Sequence, residues 1–531
     1  MKIKNIAEGK PMNWALVACV SLTLCGVAAL PAKSEDSDKW EHFGQSLSNA
    51  RHAASEKSIS PENVGSLEVL WETDLEGDLW NTPAVDSNSV YFPDDAGFLY
   101  RIDRKTGEIQ WKRNISDYSS KPISAGNFSR TTPAMNADTL VIGDQANRFP
   151  FYNNFDLANA TSAREIDKAV GAEVMAVNKK TGDPIWTTVV DDHPFSIITT
   201  SPTIYKGVVL VGVSSYESAF AAYIAPLPGS PEGTQPFLSP FYQPSSNGSL
   251  VALDLKTGAI LWKRNLTTQE FSGASVWGSS PSIDEKRNKV FIGTGQNFSM
   301  PADVQSCADT AFASAGGDPQ AGSEAARACL DPYPENYFDS ILALDIETGA
   351  INWSQRIVGY DVWHVACLFG ISFICPEPAG LDVDFGQSPI FYSITDESAS
   401  KGDGNPVMRD VIGVGQKSGD YWIMDAETGD ILQNTQVSPG GIAGGIQWGS
   451  AYDGERIYTS SANSDNKLWT LPDGNQATGG IWSALNPATG EILWQTAAPI
   501  TPSTPQNPFT PYEDGPKSGG AATIANGVVY V

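Results

Sequence analysis

The sequence predicts an all-β protein built as an eight-bladed β-propeller, and three observations carry that prediction. The 531 residues include 49 glycines and 35 prolines, with aromatics at 10%, a turn-rich composition with rings enough for a core. A hairpin pattern recurs six times along the chain, and a short marker rich in Ser, Thr and Pro precedes each hairpin. Charged residues make up only 18%, which argues against disorder. Acids outnumber basic residues 61 to 34, for a net charge of -27, and this excludes a nucleic-acid partner because phosphate neutralisation needs a basic face.

The hairpins read RIDRKTGEIQW to Trp111, AVNKKTGDPIW to Trp186, ALDLKTGAILW to Trp262, ALDIETGAINW to Trp353, IMDAETGDILQ to Gln433 and ALNPATGEILW to Trp494. Each has an apolar strand ending in Asp or Asn, a turn whose glycine takes positive φ, and a second strand. The turn glycines are Gly107, Gly182, Gly258, Gly349, Gly429 and Gly490, at intervals of 75, 76, 91, 80 and 61 residues. Four strands need about 40–50 residues, so the units carry insertions. Insertions at 146–170, 218–247 and 301–338 are expected to rim one face. The markers are TPAV at Thr82, TPAM at Thr132, SPTI at Ser201, SPSI at Ser280 and SPIF at Ser388, with looser versions at Ser450 and Ala522. They read as first strands, with Pro where a missing N–H is harmless. The tryptophans are expected to close the contact between one sheet and the next.

The ends extend the count. LEVLWETDL (67–75) reads as a closing strand with Trp71 in the tryptophan position, and ATIANGVVYV (522–531) opens a unit. Six complete units, one opened and one closed make eight, so the chain is expected to lack the C-terminal part of the ring. Lys2, Lys4 and Lys10, an apolar stretch from Trp14 to Leu30 and then Pro31-Ala32 read as a signal peptide, residues 1–32. Residues 33–531 are then one exported domain, periplasmic or secreted. A membrane attachment is expected only if that segment stays uncleaved or Cys25 is lipidated, which Leu24 before it disfavours. Without residues 1–32 the balance is 31 basic to 60 acidic, or -29. Cys307, Cys329, Cys367 and Cys375 remain, and the local pairings Cys307–Cys329 and Cys367–Cys375 are expected as disulfides. No C-x-x-C-H is present for c-type haem, and the four histidines and the cysteine spacings fit no zinc module. An oxygen-ligated cation such as calcium stays open.

With the hairpins, the segments VWGSSPSID (276–284), GTGQN (293–297) and GYDVW (359–363) resemble the pyrroloquinoline-quinone dehydrogenase propellers, most of all their polyvinyl-alcohol-dehydrogenase-like branch. The resemblance covers roughly residues 40–531. It implies an alcohol dehydrogenase in which pyrroloquinoline quinone lies flat on the propeller axis, chelates Ca2+ and accepts a hydride. In GVSSYE (212–217), Glu217 matches a calcium ligand. In GTGQN the amide ligand is Asn297 or, without a one-residue shift, Gln296. Asp361 in GYDVW matches the catalytic aspartate, which also faces the metal and removes the alcohol proton. Trp277 matches the ring under the quinone, and Lys417 in GQKSG matches a cation on the quinone oxygens. Thr199 in IITTSP, Arg130 in FSRTTP and Trp448 in GGIQWGS are weaker matches to cofactor contacts. Those types suit the chemistry: calcium takes six to eight oxygens, a lysine stabilises a developing oxyanion, and an indole stacks on a planar cofactor.

The chain departs from the pattern in places. It has no vicinal cysteine pair, His364 stands where many relatives carry a second acid, and Gln296-Asn297 replaces a lone Asn. Asn297 also opens a glycosylation sequon, as do Asn114, Asn127, Asn159, Asn247 and Asn265, and a glycan there excludes a metal role. With no haem site in this sequence, electrons are expected to pass to an external acceptor such as a cytochrome c, whose basic face the acidic chain would favour, or to a haem segment in the part of the ring this chain lacks. The alternative is a non-catalytic propeller that scaffolds protein partners. Convergence of Glu217, Asn297 or Gln296, Asp361 and Lys417 on one axial pocket beside Trp277 separates the two.

Overall fold

The computed structural model describes residues 39–121, 126–145, 171–193, 195–220, 244–368, 375–400, 406–442, 444–499 and 518–531. The expected signal peptide, the insertion at 146–170 and most of that at 218–247 lie outside the described residues. Among the described residues the chain is predominantly strand. Six antiparallel sheets follow a four-strand path in chain order, and a two-stranded ribbon, Thr523–Ala525 with Val528–Tyr530, comes last. No described helix is long and apolar enough to cross a membrane.

The repeat explains how the sheets associate. Each turn glycine lies under the tryptophan of the preceding unit: Gly182 under Trp111, Gly258 under Trp186, Gly349 under Trp262 and Gly429 under Trp353. At Gly349, φ is +66°, and a Cβ would come 2.5 Å from the Trp262 ring. Only glycine meets both demands. The indole N–H groups of Trp186, Trp262 and Trp353 donate to Leu255, Ile346 and Ala426 carbonyls of the next sheet at 2.9, 2.9 and 3.2 Å. Where Gln433 replaces tryptophan, Thr435 fills in and donates to the Gly490 carbonyl at 2.8 Å. Each sheet also carries a register shift just before the hairpin turn, for example at Ala252/Leu253 and Ala343/Leu344. Such bulges add twist.

The markers do more than start strands. The backbone N–H of Thr82 donates to Thr132 Oγ1 (3.1 Å), that of Thr132 to Ser201 Oγ (2.9 Å), and that of Ser280 to Ser388 Oγ (2.8 Å). The hydroxyl of one marker thus satisfies the preceding one, which links consecutive sheets near their inner ends.

Residues 40–53 form a hub. Trp40 bridges Val85, and the carbonyls of Glu41, Leu47, Ser48, Ala50 and Arg51 accept from Met135, Ile283, Phe391, Tyr452 and Ile524. One segment therefore touches the first strands of five sheets and of the ribbon. Arg51, buried, donates to the carbonyls of Phe43 and Ala522 (both 2.8 Å) and to the hydroxyls of Thr82 and Thr523, tying the first sheet to the ribbon.

Trp71 docks as expected, over Gly107 with its N–H on the Arg104 carbonyl at 2.9 Å. The segment around it, however, forms no strand. No described strand lies beside it to complete a ladder, and Leu67, Val69 and Leu70 stand exposed. Both expected disulfides are present. Cys307–Cys329 staples a helical insertion, Ala302–Ser314 and Pro319–Ala325, which lays Val304, Ala308 and Phe312 on the core.

Candidate active site

A cavity of about 400 Å³ opens where the third to fifth sheets present their inner ends. Arg130, Thr199, Trp277, Gln296 and Lys417, all singled out from the sequence, line it, and so do Asp382 and Asp384, which were not. Lys417 is the electrostatic centre. Its ammonium lies 2.9 Å from Asp382 Oδ1 and 2.9 Å from Asp384 Oδ1, between the Trp277 ring (5.7 Å to its centre) and the Trp363 ring (6.0 Å). Burial lowers the Lys417 pKa, but the two carboxylates more than offset that and leave it raised. Burial lifts Asp382 well above the usual carboxylate range, against the pull of Lys417. The Trp277 indole N–H donates to Asp384 Oδ2, and Thr199 Oγ1 donates to the Trp277 carbonyl at 2.6 Å. Trp277 is thus held at its indole N–H and at its backbone carbonyl.

Trp448 meets Trp277 edge-on, 5.3 Å between ring centres, at a backbone φ of +64°. The Arg130 guanidinium lies 4.9 Å from the Trp448 ring centre. Trp448 lines an adjoining chamber of about 280 Å³ that shares Arg130 and Thr199 with the main cavity. Away from Lys417 the wall is largely apolar, with Ile197, Phe298, Val365, Leu368 and Ile442.

Three expected site residues are placed elsewhere. Asp361 is fully buried and absent from the cavity wall. Its carboxylate accepts the backbone N–H groups of Asp382 (3.1 Å) and Val383 (3.0 Å), and burial raises it to about 6. The sequence leads to the expectation that Asp361 faces the cofactor; in the structure its carboxylate accepts from the backbone behind Asp382 and lies against the Asp339 carboxyl. Asn297 is also turned inward, its amide exchanging hydrogen bonds with Asn336 (2.9 and 3.0 Å) and donating to the Ser272 carbonyl. Of the amide pair, Gln296 faces the cavity. Glu217 stands between two wall residues, Tyr216 and Ser218. Its carboxylate accepts from the backbone N–H groups of Ser245 (2.9 Å) and Ser246 (2.6 Å) and lies 3.4 Å from His193 Nε2.

These residues suit a planar anionic cofactor and a hard cation. Two indoles and two cations, Lys417 and Arg130, would suit a flat acidic molecule. Asp382 Oδ2 is buried without a hydrogen-bond partner, and with the Asp384 carboxylate and the Gln296 carbonyl it offers an oxygen-only donor set, as calcium requires. Among the described residues no cluster of three His, Cys, Asp or Glu is arranged to hold a metal. The signal missed in the sequence was LDVDFGQSP (381–389), a D-x-D just ahead of the fifth marker.

Fold and cavity together define a propeller of the quinoprotein class. The chain belongs to the PQQ_2 family, whose model, described as outer membrane protein assembly factor BamB, matches residues 66–229 and 238–355. It is 25% identical over 508 residues to a polyvinylalcohol dehydrogenase of Pseudomonas sp., covering 93% of this chain and 64% of that protein. A polyvinylalcohol dehydrogenase of Sphingopyxis sp. (strain 113P3) is 25% identical over 508 residues, covering 92% of this chain and 62% of its own length. The chain thus spans less than two thirds of these relatives. The solved quinohemoprotein alcohol dehydrogenase of Comamonas testosteroni superposes with a TM-score of 0.57 at 16% identity, over 94% of this chain and 70% of that one. That likeness establishes the fold.

Proposed function

We propose that the protein is an exported quinoprotein alcohol dehydrogenase. It takes a hydride from a secondary or polymeric alcohol onto pyrroloquinoline quinone bound with Ca2+, and passes electrons to an external acceptor of the cytochrome c type. The observation that carries this reading is the Lys417–Asp382–Asp384 cluster beside Trp277 in the cavity. Names of the relatives, polyvinylalcohol dehydrogenase among them, support alcohol as the substrate class. The eight-bladed ring, the single domain over 33–531 and the cleaved segment 1–32 belong to the same proposal.

When bound, the quinone supplies the hydride acceptor and calcium the Lewis acid that polarises it. Trp277 and Trp363, both lining the cavity near Lys417, would offer indole surface to a planar ring, and Arg130 and Lys417 would offer cations to its oxygens and carboxylates. Asp382, Asp384 and Gln296 would hold the cation. Asp382 is the group we assign to take the hydroxyl proton: it lines the cavity and keeps one oxygen free of hydrogen bonds. Phe298, Val365 and Leu368 would exclude water and receive the carbon chain of the alcohol.

The test is reconstitution with Ca2+ and pyrroloquinoline quinone, followed by dye reduction with secondary alcohols. Alcohol-dependent dye reduction is expected, with loss of turnover in Asp382→Asn. Absence of both bound cofactor and dye reduction would leave the scaffold reading in its place.

A further inference from the structure

We infer that Asp361 is a positioning residue for this site, holding the backbone of Asp382 and Val383 so that the Asp382 carboxylate meets Lys417. The inference rests on the function proposed above, but its geometry stands without any bound group.

Asp382 has φ +56°, in the left-handed region that a residue with a Cβ occupies only when its surroundings enforce it. The enforcing contacts are visible. Asp361 Oδ1 accepts the Asp382 N–H at 3.1 Å, and Asp361 Oδ2 accepts the Val383 N–H at 3.0 Å. Successive backbone N–H groups converging on one carboxylate form a small anion-binding nest. The nest closes tightly: a Cβ on Gly380 would fall 2.0 Å from Asp361 Oδ1. Only glycine at 380 leaves room for the carboxylate, and the Gly380 N–H returns to the Val362 carbonyl at 2.9 Å. Asp361 is itself anchored to the fourth sheet's loop, since its carbonyl accepts the Asn297 N–H at 3.0 Å and Trp363 N–H donates to the Asn297 carbonyl at 2.9 Å. The chain that runs 21 residues from Asp361 to Asp382 therefore folds back onto its own start. At that return, Asp382 turns its side chain to the Lys417 ammonium at 2.9 Å. Asn297, which does not face the cavity, gains a role in the same chain of contacts.

The experiment uses the whole protein in three forms: native, Asp361→Asn and Gly380→Ala. Asp361→Asn replaces one acceptor with an NH2 that faces a backbone N–H. Gly380→Ala removes no charge and instead crowds Asp361. Two readouts are taken. Hydrogen exchange at the amides of Asp382 and Val383, in protein free of calcium and quinone, is expected to rise about tenfold or more in both variants, while amides of the sheet strands stay protected. In reconstituted enzyme kcat is expected to fall about 100-fold, as for a misplacement of about 1 Å, with KM for the alcohol within about threefold.

Unchanged exchange at 382 and 383 in both variants would overturn the inference, whatever the activity. Faster exchange with native kcat would overturn it as well. A uniform rise in exchange across the sheets, with activity tracking the unfolded fraction, would reduce Asp361 to a fold-stabilising residue and likewise overturn it. If native protein lacks alcohol-dependent turnover, the function proposed above fails, and the exchange readout still decides whether Asp361 holds this backbone.

Discussion

Lys417→Met removes the one cation that contacts Asp382 and Asp384 among the described residues and leaves two buried carboxylates together. Two contacts at 2.9 Å set the scale. At an effective dielectric of about 20 each is worth roughly 6 kcal/mol of attraction, much of it offset by taking the ammonium out of water, and breaking a buried pair in this way typically costs about 3–5 kcal/mol. A shared proton between the two carboxylates limits the loss. Because burial holds Asp382 above its unfolded value, protonation favours the folded state. The penalty in the variant is therefore largest at alkaline pH and shrinks as pH falls through the raised Asp382 pKa. Calcium should act oppositely in the two proteins' favour: it replaces the missing charge in the variant and competes with Lys417 in the native chain. Calcium at about 100 times its Kd adds roughly 2.7 kcal/mol to whichever form binds it, so the gap should narrow on addition of calcium at concentrations that leave the native site unfilled. The assay is urea denaturation followed by tryptophan fluorescence, in chelator and in calcium. A variant within about 1 kcal/mol of native in chelator at about pH 8 would refute the placement of Lys417 between two buried carboxylates.

Other sites yield further predictions. Lys121, buried 2.9 Å from Asp144, is the equivalent pair in the second sheet. Lys121→Met should cost about 3–5 kcal/mol near neutral pH. Burial raises Asp144 to about 6, so its favourable proton linkage is complete below about 4 and lost as pH rises through about 6; the penalty of the variant, read by denaturation across that window, should shrink toward acid. Gly349→Ala combines a positive φ with a Cβ 2.5 Å from Trp262, and should lower Tm by more than Gly207→Ala, where φ is also positive but the surroundings are open. Replacing both Cys307 and Cys329 by Ala opens a loop with a sequence separation of 22 and should cost about 3 kcal/mol, measured as a shift of the denaturation midpoint without loss of the strand signal in circular dichroism.

Much of the ring could be read from the chain because its repeat is local. A Thr-Gly turn followed by tryptophan specifies a hairpin and its docking partner within about a dozen residues, and Trp262 over Gly349 shows the pattern working across sheets. Trp277 and Lys417 could be read only through the resemblance carried by VWGSSPSID and GQKSG, and both line the cavity. The acids could not. Asp361 and Asp382 lie in one long excursion between the fourth and fifth sheets, and nothing in the residue types says which of them reaches the cavity. That depends on the chain folding back so that the Asp382 N–H meets Asp361, a long-range contact with no periodicity. Gln296 against Asn297 is a matter of strand register: one residue's shift exchanges the face each amide takes. The hub formed by residues 40–53 was equally hidden, because its carbonyls, rather than its side chains, make most of the contacts.

One cavity, built on Trp277, Lys417, Asp382 and Asp384, is proposed to bind a calcium-chelated quinone. Titration of the protein with pyrroloquinoline quinone, monitored by quenching of tryptophan fluorescence in calcium and in chelator, tests it most directly. The account predicts saturable binding of one quinone per chain that requires calcium and weakens at least about tenfold in Asp382→Asn and in Asp384→Asn. Quenching that is unsaturable, indifferent to calcium, or unchanged in both variants would contradict it.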